Sequence, residues 1–215
     1  LGDRAKNWIT HNEPWCISYL GYIQGQFPPG IKDNWPKSLA TAHHLLLSHG
    51  MSINEIRNNS NDSNIGITLN LSPSTPASKS QYDKEACKFY DGQFNRLYLD
   101  PLYKAQYPKD LFDSLIKKKY IQKEDLNFIK TEDLKVISKK TDFLGINFYS
   151  RAIIRDNDIP KEKNLPIEVF LEEKTDFGWE IHPRSLYDLL VRIKNDYSVE
   201  KIYITENGCA YNDAP

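Results

Sequence analysis

The sequence predicts an α/β chain of βα units around a parallel sheet, and three observations carry that prediction. Strand-like runs recur at Lys6 to Thr10, Ile65 to Leu71, Phe143 to Tyr149 and Lys201 to Thr205, and each interval between them holds at least one helical pattern. The first and last runs close alike, one on Asn12-Glu13-Pro14 and the other on Glu206-Asn207-Gly208, so each ends on a carboxylate beside an amide. Dividing 215 residues among four units leaves about 54 per unit, and a closed (β/α)8 barrel at that rate needs roughly 430. The chain therefore amounts to about half a barrel.

Taken in order, the first run is Trp8-Ile9-Thr10-His11-Asn12-Glu13-Pro14. Proline fixes φ, lacks an N–H and disfavours helix in the residue before it, so Glu13 is expected extended at the strand's end, with Pro14 opening the next segment. Gly25-Gln26-Phe27-Pro28-Pro29-Gly30 is a punctuated loop, expected at a pocket mouth. Asn34 caps a helix with Pro36 in its first turn; Leu39, Ala42, Leu46 and Leu47 form its apolar stripe, and Gly50 is expected to end it. Asn58 to Asn64 reads as a polar turn before the second strand, whose Ile65, Ile67, Leu69 and Leu71 alternate.

Ala86, Tyr90, Phe94 and Leu97 mark one face of the next helix. Tyr82, Tyr98, Tyr103 and Tyr107 invite a sugar-stacking reading, but aromatics at helical spacing more often fill a core, and core is the reading preferred. Asp110 to Tyr120 and Glu124 to Ser138 read as two further amphipathic helices, and Pro183 to Tyr197 as the last, with Leu186, Leu189, Leu190 and Ile193 facing inward. Arg155 to Lys174 is charged, contains Pro160 and Pro166 and lacks sustained periodicity, so it reads as a long loop or loose hairpin.

Composition narrows the class. The chain is 40% hydrophobic with a net charge of −1, ordinary for a globular protein, and it offers neither a basic surface for nucleic acid nor an apolar run of the ~18 residues that a membrane span needs. Lys117 to Lys119 belongs to an amphipathic pattern and reads as a solvated face. Cys16, Cys87 and Cys209 make neither an even disulfide framework nor a metal spacing, which favours free thiols and a cytoplasmic location. His43, His44 and His49 contain no i, i+4 pair that would put two imidazoles on one helical face, so they read as packing and surface residues.

Thr10-His11-Asn12-Glu13-Pro14 together with Ile204-Thr205-Glu206-Asn207-Gly208 resembles the signature pair of glycoside hydrolase family 1, the β-glucosidase and phospho-β-glycosidase family. The two motifs stand 193 positions apart (206 − 13), and the blocks Ile65 to Pro76, Asn95 to Pro108, Asp142 to Tyr149 and Asp176 to Pro183 resemble the family between them. His11 departs from it, since the family usually carries an apolar residue there. The resemblance implies a TIM (β/α)8 barrel and identifies the strands as the fourth to seventh. Residues 1–215 would then be one incomplete catalytic domain lacking the first three strands and the eighth.

The resemblance further implies a retaining β-glycosidase, acting on β-linked glucosides or related sugars without metal or organic cofactor. Such enzymes protonate a poor leaving group and stabilise an oxocarbenium-like centre with two carboxyl groups. Glu13 is thereby expected as acid/base and Glu206 as nucleophile, in environments that keep one protonated and the other ionised. The plainer alternative is two strand-end glutamates in surface ion pairs. Asn12 resembles the amide that binds the sugar 2-hydroxyl, although such a residue can also cap a helix. Tyr149 resembles the tyrosine that donates to the nucleophile, with Asn147 two positions earlier and on the same strand face. Trp179 resembles the platform for the leaving-group side of the substrate, or else packs a loop.

Competing expectations are a 6-phospho-β-glycosidase of the same family and a non-catalytic barrel used as a carbohydrate- or protein-binding module. The isolated 215-residue chain is expected to be inactive.

Overall fold

The computed structural model describes residues 3–60, 62–156, 167, 169 and 173–212. Strands β1 (Asn7–Asn12), β2 (Asn64–Asn70), β4 (Phe143–Asn147) and β6 (Ile202–Glu206) form one parallel sheet in the order β1-β2-β4-β6. Between them run helices α1 (Trp35–Asn59), α2 (Gln81–Asp91), α3 (Leu97–Lys104), α4 (Lys109–Lys117), α5 (Thr131–Ile137) and α6 (Pro183–Tyr197). Two further strands, β3 (Ser74–Pro76) and β5 (Ala152–Ile154), pair parallel to each other beyond the ends of β2 and β4. Each strand of the main sheet lies beside its predecessor, the progression of a barrel wound in one direction.

Strand periodicity decides which face carries the helices. Ile67, Leu69 and Leu71 from β2 and its exit, and Leu144, Ile146 and Phe148 from β4 and its exit, join one core with Leu39 and Leu46 of α1, Leu97 and Leu99 of α3, Leu111 and Leu115 of α4, Ile137 of α5, and Leu189 and Ile193 of α6. Alternation therefore turns Gly66, Thr68, Asn70, Gly145 and Asn147 to the opposite face, which carries no helix. Helices on one face of a sequentially ordered parallel sheet make this half of a (β/α)8 barrel.

Several local expectations hold. Asn34 Oδ1 accepts from Lys37 N (3.1 Å), capping α1 with Pro36 in its first turn. Helix α6 spans the expected residues. Tyr98 is buried in the core, and Tyr103 and Tyr107 pack against it.

Others are corrected. Gly50 does not end α1, which continues nine residues further to Asn59, so the expected polar turn begins only after that residue. A Cβ at Gly50 would lie 2.1 Å from Val136 O, so this glycine is there to let the backbone of α5 approach. Tyr82 is exposed, not core. Glu124 to Ser138 is not one helix: a 3-10 turn over Lys123–Leu126 precedes the short α5. The stretch expected to be a long loop, Arg155 to Lys174, lies for the most part outside the described residues.

Helix irregularity was also invisible to periodicity. Cys16–Leu20 and Gly92–Arg96 each form a π-helical turn, the second inserted between α2 and α3. Each widens its helix by one residue, which re-aims the side chains beyond it. Asp91, at the end of α2, receives Arg192 of α6 through two bonds (2.6 and 3.0 Å) and Arg96 Nε (2.8 Å), tying the irregular helix to α6.

The close approach at Gly50 is testable. Gly50→Ala should destabilise the fold by about 1–3 kcal/mol, because the added methyl meets backbone rather than a movable side chain. The denaturant midpoint should fall with the slope unchanged; an unaltered midpoint would refute the α1–α5 contact.

Candidate active site

Both strands that bear the terminal glutamates carry an extra residue just before them. In β1 the register runs from Ile9 opposite Gly66 to Asn12 opposite Thr68, so Thr10 and His11 together stand against Ile67 alone. Both therefore reach α1: Thr10 Oγ1 meets His49 Nδ1 (2.6 Å) and His11 Nε2 meets Ser48 Oγ (3.2 Å). In β6 the register passes from Ile204 opposite Ile146 to Glu206 opposite Asn147, leaving Thr205 as the extra residue. Such bulges bend a strand and redirect its side chains, and they concentrate at barrel rims.

Glu13 departs from its expected backbone. Its φ is +50°, in the left-handed region, where a non-glycine residue before proline costs on the order of 1–3 kcal/mol. The bulge and the immediate entry into helix at Pro14 require that turn, and two hydrogen bonds hold it: Glu13 N donates to Thr68 O (3.0 Å), and Cys16 N donates to Glu13 O (2.9 Å).

Asn147 joins the elements. Only 1% exposed at the end of β4, it donates through Nδ2 to Glu13 Oε1 (2.8 Å) and to Asn12 Oδ1 (3.1 Å). Its Oδ1 accepts from Thr205 Oγ1 (2.6 Å). One amide thus touches side chains from β1 and β6, and because a carboxylate can only accept, the amide must present its nitrogen to Glu13. Parallel strands lie about 4.7–4.9 Å apart, so β1 and β4 are separated by about twice that, and Glu13 and Asn147 meet above β2 on the helix-free face. Gly145 leaves the room beneath, since a Cβ there would stand 2.2 Å from Thr68 Oγ1 and 3.0 Å from Thr205 Cγ2.

Glu206 is held from the same strand. Tyr149 Oη donates to Glu206 Oε2, Phe148 N donates to Glu206 O (3.0 Å), and Asn207 Nδ2 donates to Phe148 O (2.7 Å). The hydrogen bond to Glu206, then burial, then the charges of Glu206 and Glu13 push the Tyr149 phenol up to about 12. It consequently remains a donor throughout the neutral range. Phe148 packs into the core, as strand alternation requires of the residue between Asn147 and Tyr149.

A cavity of about 590 Å³ opens above these strand ends, lined by Glu13, Cys16, Asn70, Asn147, Tyr149 and Trp179 among others. Glu206 is not part of that lining and adjoins it through Tyr149. The two π-helical turns contribute Cys16, Leu20 and Phe94, while Phe27 comes from the glycine-proline loop, as expected of a pocket mouth. Trp15 lies against Phe94 (4.3 Å between centroids) and Tyr149 against Trp179 (5.3 Å). Trp179 is 42% exposed, which makes it an open surface more than loop packing. Its loop is fastened to the exit of β4 by Arg151, whose Nε and Nη2 bind the two oxygens of buried Glu180 (2.6 and 2.8 Å).

The structure therefore gathers Asn12, Glu13, Asn147, Tyr149, Trp179 and Glu206 around one rim. Sequence reasoning missed Cys16, whose Sγ donates to Glu13 Oε2 (3.1 Å), as well as Thr205 and the Arg151–Glu180 pair. Proximity of Cys16 to Glu13, three residues on and just inside a helix, was the available signal. The histidines lie elsewhere: His43 sits between Tyr107 Oη (2.9 Å) and Asp133 Oδ2 (3.2 Å), and burial pushes His49 down to about 3, so it is neutral at physiological pH. Among the described residues no group of three or more His, Cys, Asp or Glu is placed to hold a metal ion, and no helix is long and apolar enough to cross a membrane.

Comparison with known proteins gives consistent matches. The family model for glycosyl hydrolase family 1 matches residues 1–215. A curated relative, β-glucosidase A of Acetivibrio thermocellus, is 43% identical over 215 residues, covering 99% of this chain and 47% of the relative. The 6-phospho-β-galactosidase of Clostridium acetobutylicum is 35% identical over 237 residues, covering 99% and 49%. Among solved structures, a β-glucosidase from Exiguobacterium marinum superposes with a TM-score of 0.88 at 39% identity, over 100% of this chain and 48% of that one. The chain spans about half the length of the curated relatives it matches.

The environment of Cys16 yields a prediction with a definite sign. Burial first, then the bond to Glu13 and the charges of Glu13 and Glu206, hold its thiol well above the ordinary range, so little thiolate exists at pH 8. Iodoacetamide should label Cys16 at least ~10-fold more slowly than exposed Cys209, and Glu13→Gln should accelerate labelling of Cys16 specifically. Equal rates at the two thiols, or no response to Glu13→Gln, would contradict this electrostatic picture.

Proposed function

Because the chain belongs to glycosyl hydrolase family 1, we propose that it forms the acid/base and nucleophile portion of a retaining β-glycosidase, with β-linked glucosides or related sugars as substrates. The observation that carries the proposal is the pair of strand-end glutamates, each turned by a bulge toward β4 and each held by a different partner there.

In this reading Glu206 attacks the anomeric carbon. Its reactive form is the carboxylate, and the Tyr149 hydroxyl both orients it and stabilises its charge. Glu13 protonates the departing oxygen and afterwards takes a proton from the water that cleaves the glycosyl-enzyme. Asn147 keeps the Glu13 carboxyl from swinging away between those two steps. Asn12, exposed beside it and bonded on one side to Asn147, is the candidate to bind the sugar 2-hydroxyl, a contact that strengthens as positive charge grows on the ring. Trp179 offers its open face to the leaving group.

The four strands would be the fourth to seventh of an eight-stranded barrel. The half-length match to relatives supports this, and so do the edges of β1 and β6, which have no further strand partner among the described residues. The polypeptide of 215 residues alone should accordingly lack turnover, and activity belongs to a chain of the relatives' length. A 6-phospho-β-glycoside is the second substrate class to test, given the clostridial 6-phospho-β-galactosidase among the relatives. Retention of both carboxylates speaks against a purely binding role.

In a full-length chain carrying this sequence, Glu206→Ala should abolish turnover on every β-glycoside. Glu13→Ala should spare glycosylation from substrates with good leaving groups, which need little protonation, and azide should restore turnover by attacking the intermediate without a general base. Equal losses on activated and unactivated substrates, with no azide effect, would reverse the assignment.

A further inference from the structure

The two oxygens of Glu13 have unlike partners. Asn147 Nδ2 occupies Oε1 at 2.8 Å, and an amide N–H2 can donate but not accept. Cys16 Sγ lies 3.1 Å from Oε2, and a thiol can do both, donating its S–H to a carboxylate or accepting weakly from a carboxylic acid. A proton on Oε1 would point an O–H into a group that is itself a donor. A proton on Oε2 meets a neighbour able to turn round.

The geometry points to Oε2 of Glu13 as the oxygen that carries the transferred proton, and to Cys16 as the positioning residue that governs its release. The inference rests on Glu13 being the acid/base. Before the reaction a solvent proton sits on Oε2, and the thiol hydrogen is turned aside. Passing that proton to the glycosidic oxygen leaves a carboxylate, whereupon the S–H swings onto Oε2. When the attacking water loses a proton to Oε2, the thiol turns away again, so the cycle balances with no proton or electron supplied by sulfur.

The surroundings leave Cys16 free for this part. It opens the π-helical turn three residues after Glu13, so the local backbone fixes the Sγ–Oε2 contact, while Asn70 Nδ2 donates a long bond to the sulfur (3.8 Å) that leaves the S–H to turn. The charged and titratable groups around the pair are Tyr149 on the exit of β4, Glu206 at the end of β6, Tyr98 of α3, Tyr90 of α2, and the Arg151–Glu180 pair, which shares the cavity lining. Glu13 and Glu206 both oppose loss of the thiol proton, and burial does so more strongly, which keeps sulfur a donor and not a competing nucleophile.

The test is the pH profile of kcat/KM on an unactivated β-glycoside, using the full-length chain. Its alkaline limb reports the acid, which must be protonated. Cys16→Val keeps apolar bulk but removes the donor to the carboxylate, so the limb should move up by about one pH unit. Cys16→Ser retains a donor, and a stronger one, so its limb should stay or move down. The acid limb, set by the nucleophile, should stay in place. Limbs that do not move, limbs that move together in both variants, or a Val variant too slow to profile would overturn the proposal. Azide rescue of Glu13→Ala separates this failure from the larger one: rescue with unmoved limbs refutes the role of Cys16 alone, whereas no rescue refutes Glu13 as acid/base.

Discussion

The carboxamide of Asn147 is the constraint on which the site depends. Its nitrogen holds Glu13 and Asn12 of β1, its oxygen takes the hydroxyl of Thr205 beside Glu206, and its own backbone is anchored in the middle of the sheet. An amide is the side chain suited to this place, because it offers two donors toward one side and an acceptor toward the other. Aspartate would repel Glu13, and a hydrocarbon would leave three polar groups short of partners in a largely dry position. Burial makes the arrangement stiff: with 1% exposure, Asn147 has little water to exchange its partners for.

Around that amide, irregular backbone does what regular elements cannot. An ideal strand would alternate its side chains and leave Glu13 and Glu206 wherever the period happened to put them. One extra residue in β1 and one in β6 shift both toward β4, and the left-handed turn at Glu13 completes the movement. The π-helical turns act likewise on Cys16 and Phe94. Strain of this kind persists only where neighbours over-determine it, and here two backbone hydrogen bonds at Glu13, one donated to Thr68 and one accepted from Cys16, together with the core under β2, supply that support.

Legibility in the sequence followed the range of the physics. The four strands, the cap at Asn34 and the buried stripe of α6 were readable because they depend on residue type at short spacing. Strand alternation also placed Asn147 and Tyr149 on one face with Phe148 behind them, which holds. Gly50 misled because a glycine that ends a helix and a glycine that admits another backbone look alike until the partner, Val136, is placed. Glu13 misled because the rule for residues before proline yields to a bulge whose need arises only from pairing with β2. Bulges and π turns each add one residue to a count that periodicity treats as fixed, so Thr205 could not be read as part of the site, and Cys16 was signalled only by standing three residues after Glu13. The assignment of glutamates to roles came from resemblance, since two strand-end carboxylates by themselves suit ion pairs equally well.

The central claim is that the two strand-end carboxylates cooperate, Glu13 held by Asn147 and Glu206, the proposed nucleophile, by Tyr149. It is tested most directly by trapping the intermediate with a 2-deoxy-2-fluoro β-glycoside carrying a good leaving group, on the full-length chain and on its Tyr149→Phe variant. Fluorine at C-2 destabilises the oxocarbenium-like transition states of both steps and the good leaving group offsets this in the first alone, so the sugar accumulates on whichever residue attacked. Mass spectrometry should place it on Glu206, with labelling slower by about 10²-fold in Tyr149→Phe, a loss typical of a mispositioned catalytic group. A label on Glu13, or one that reaches Glu206 equally fast without the Tyr149 hydroxyl, would contradict the account.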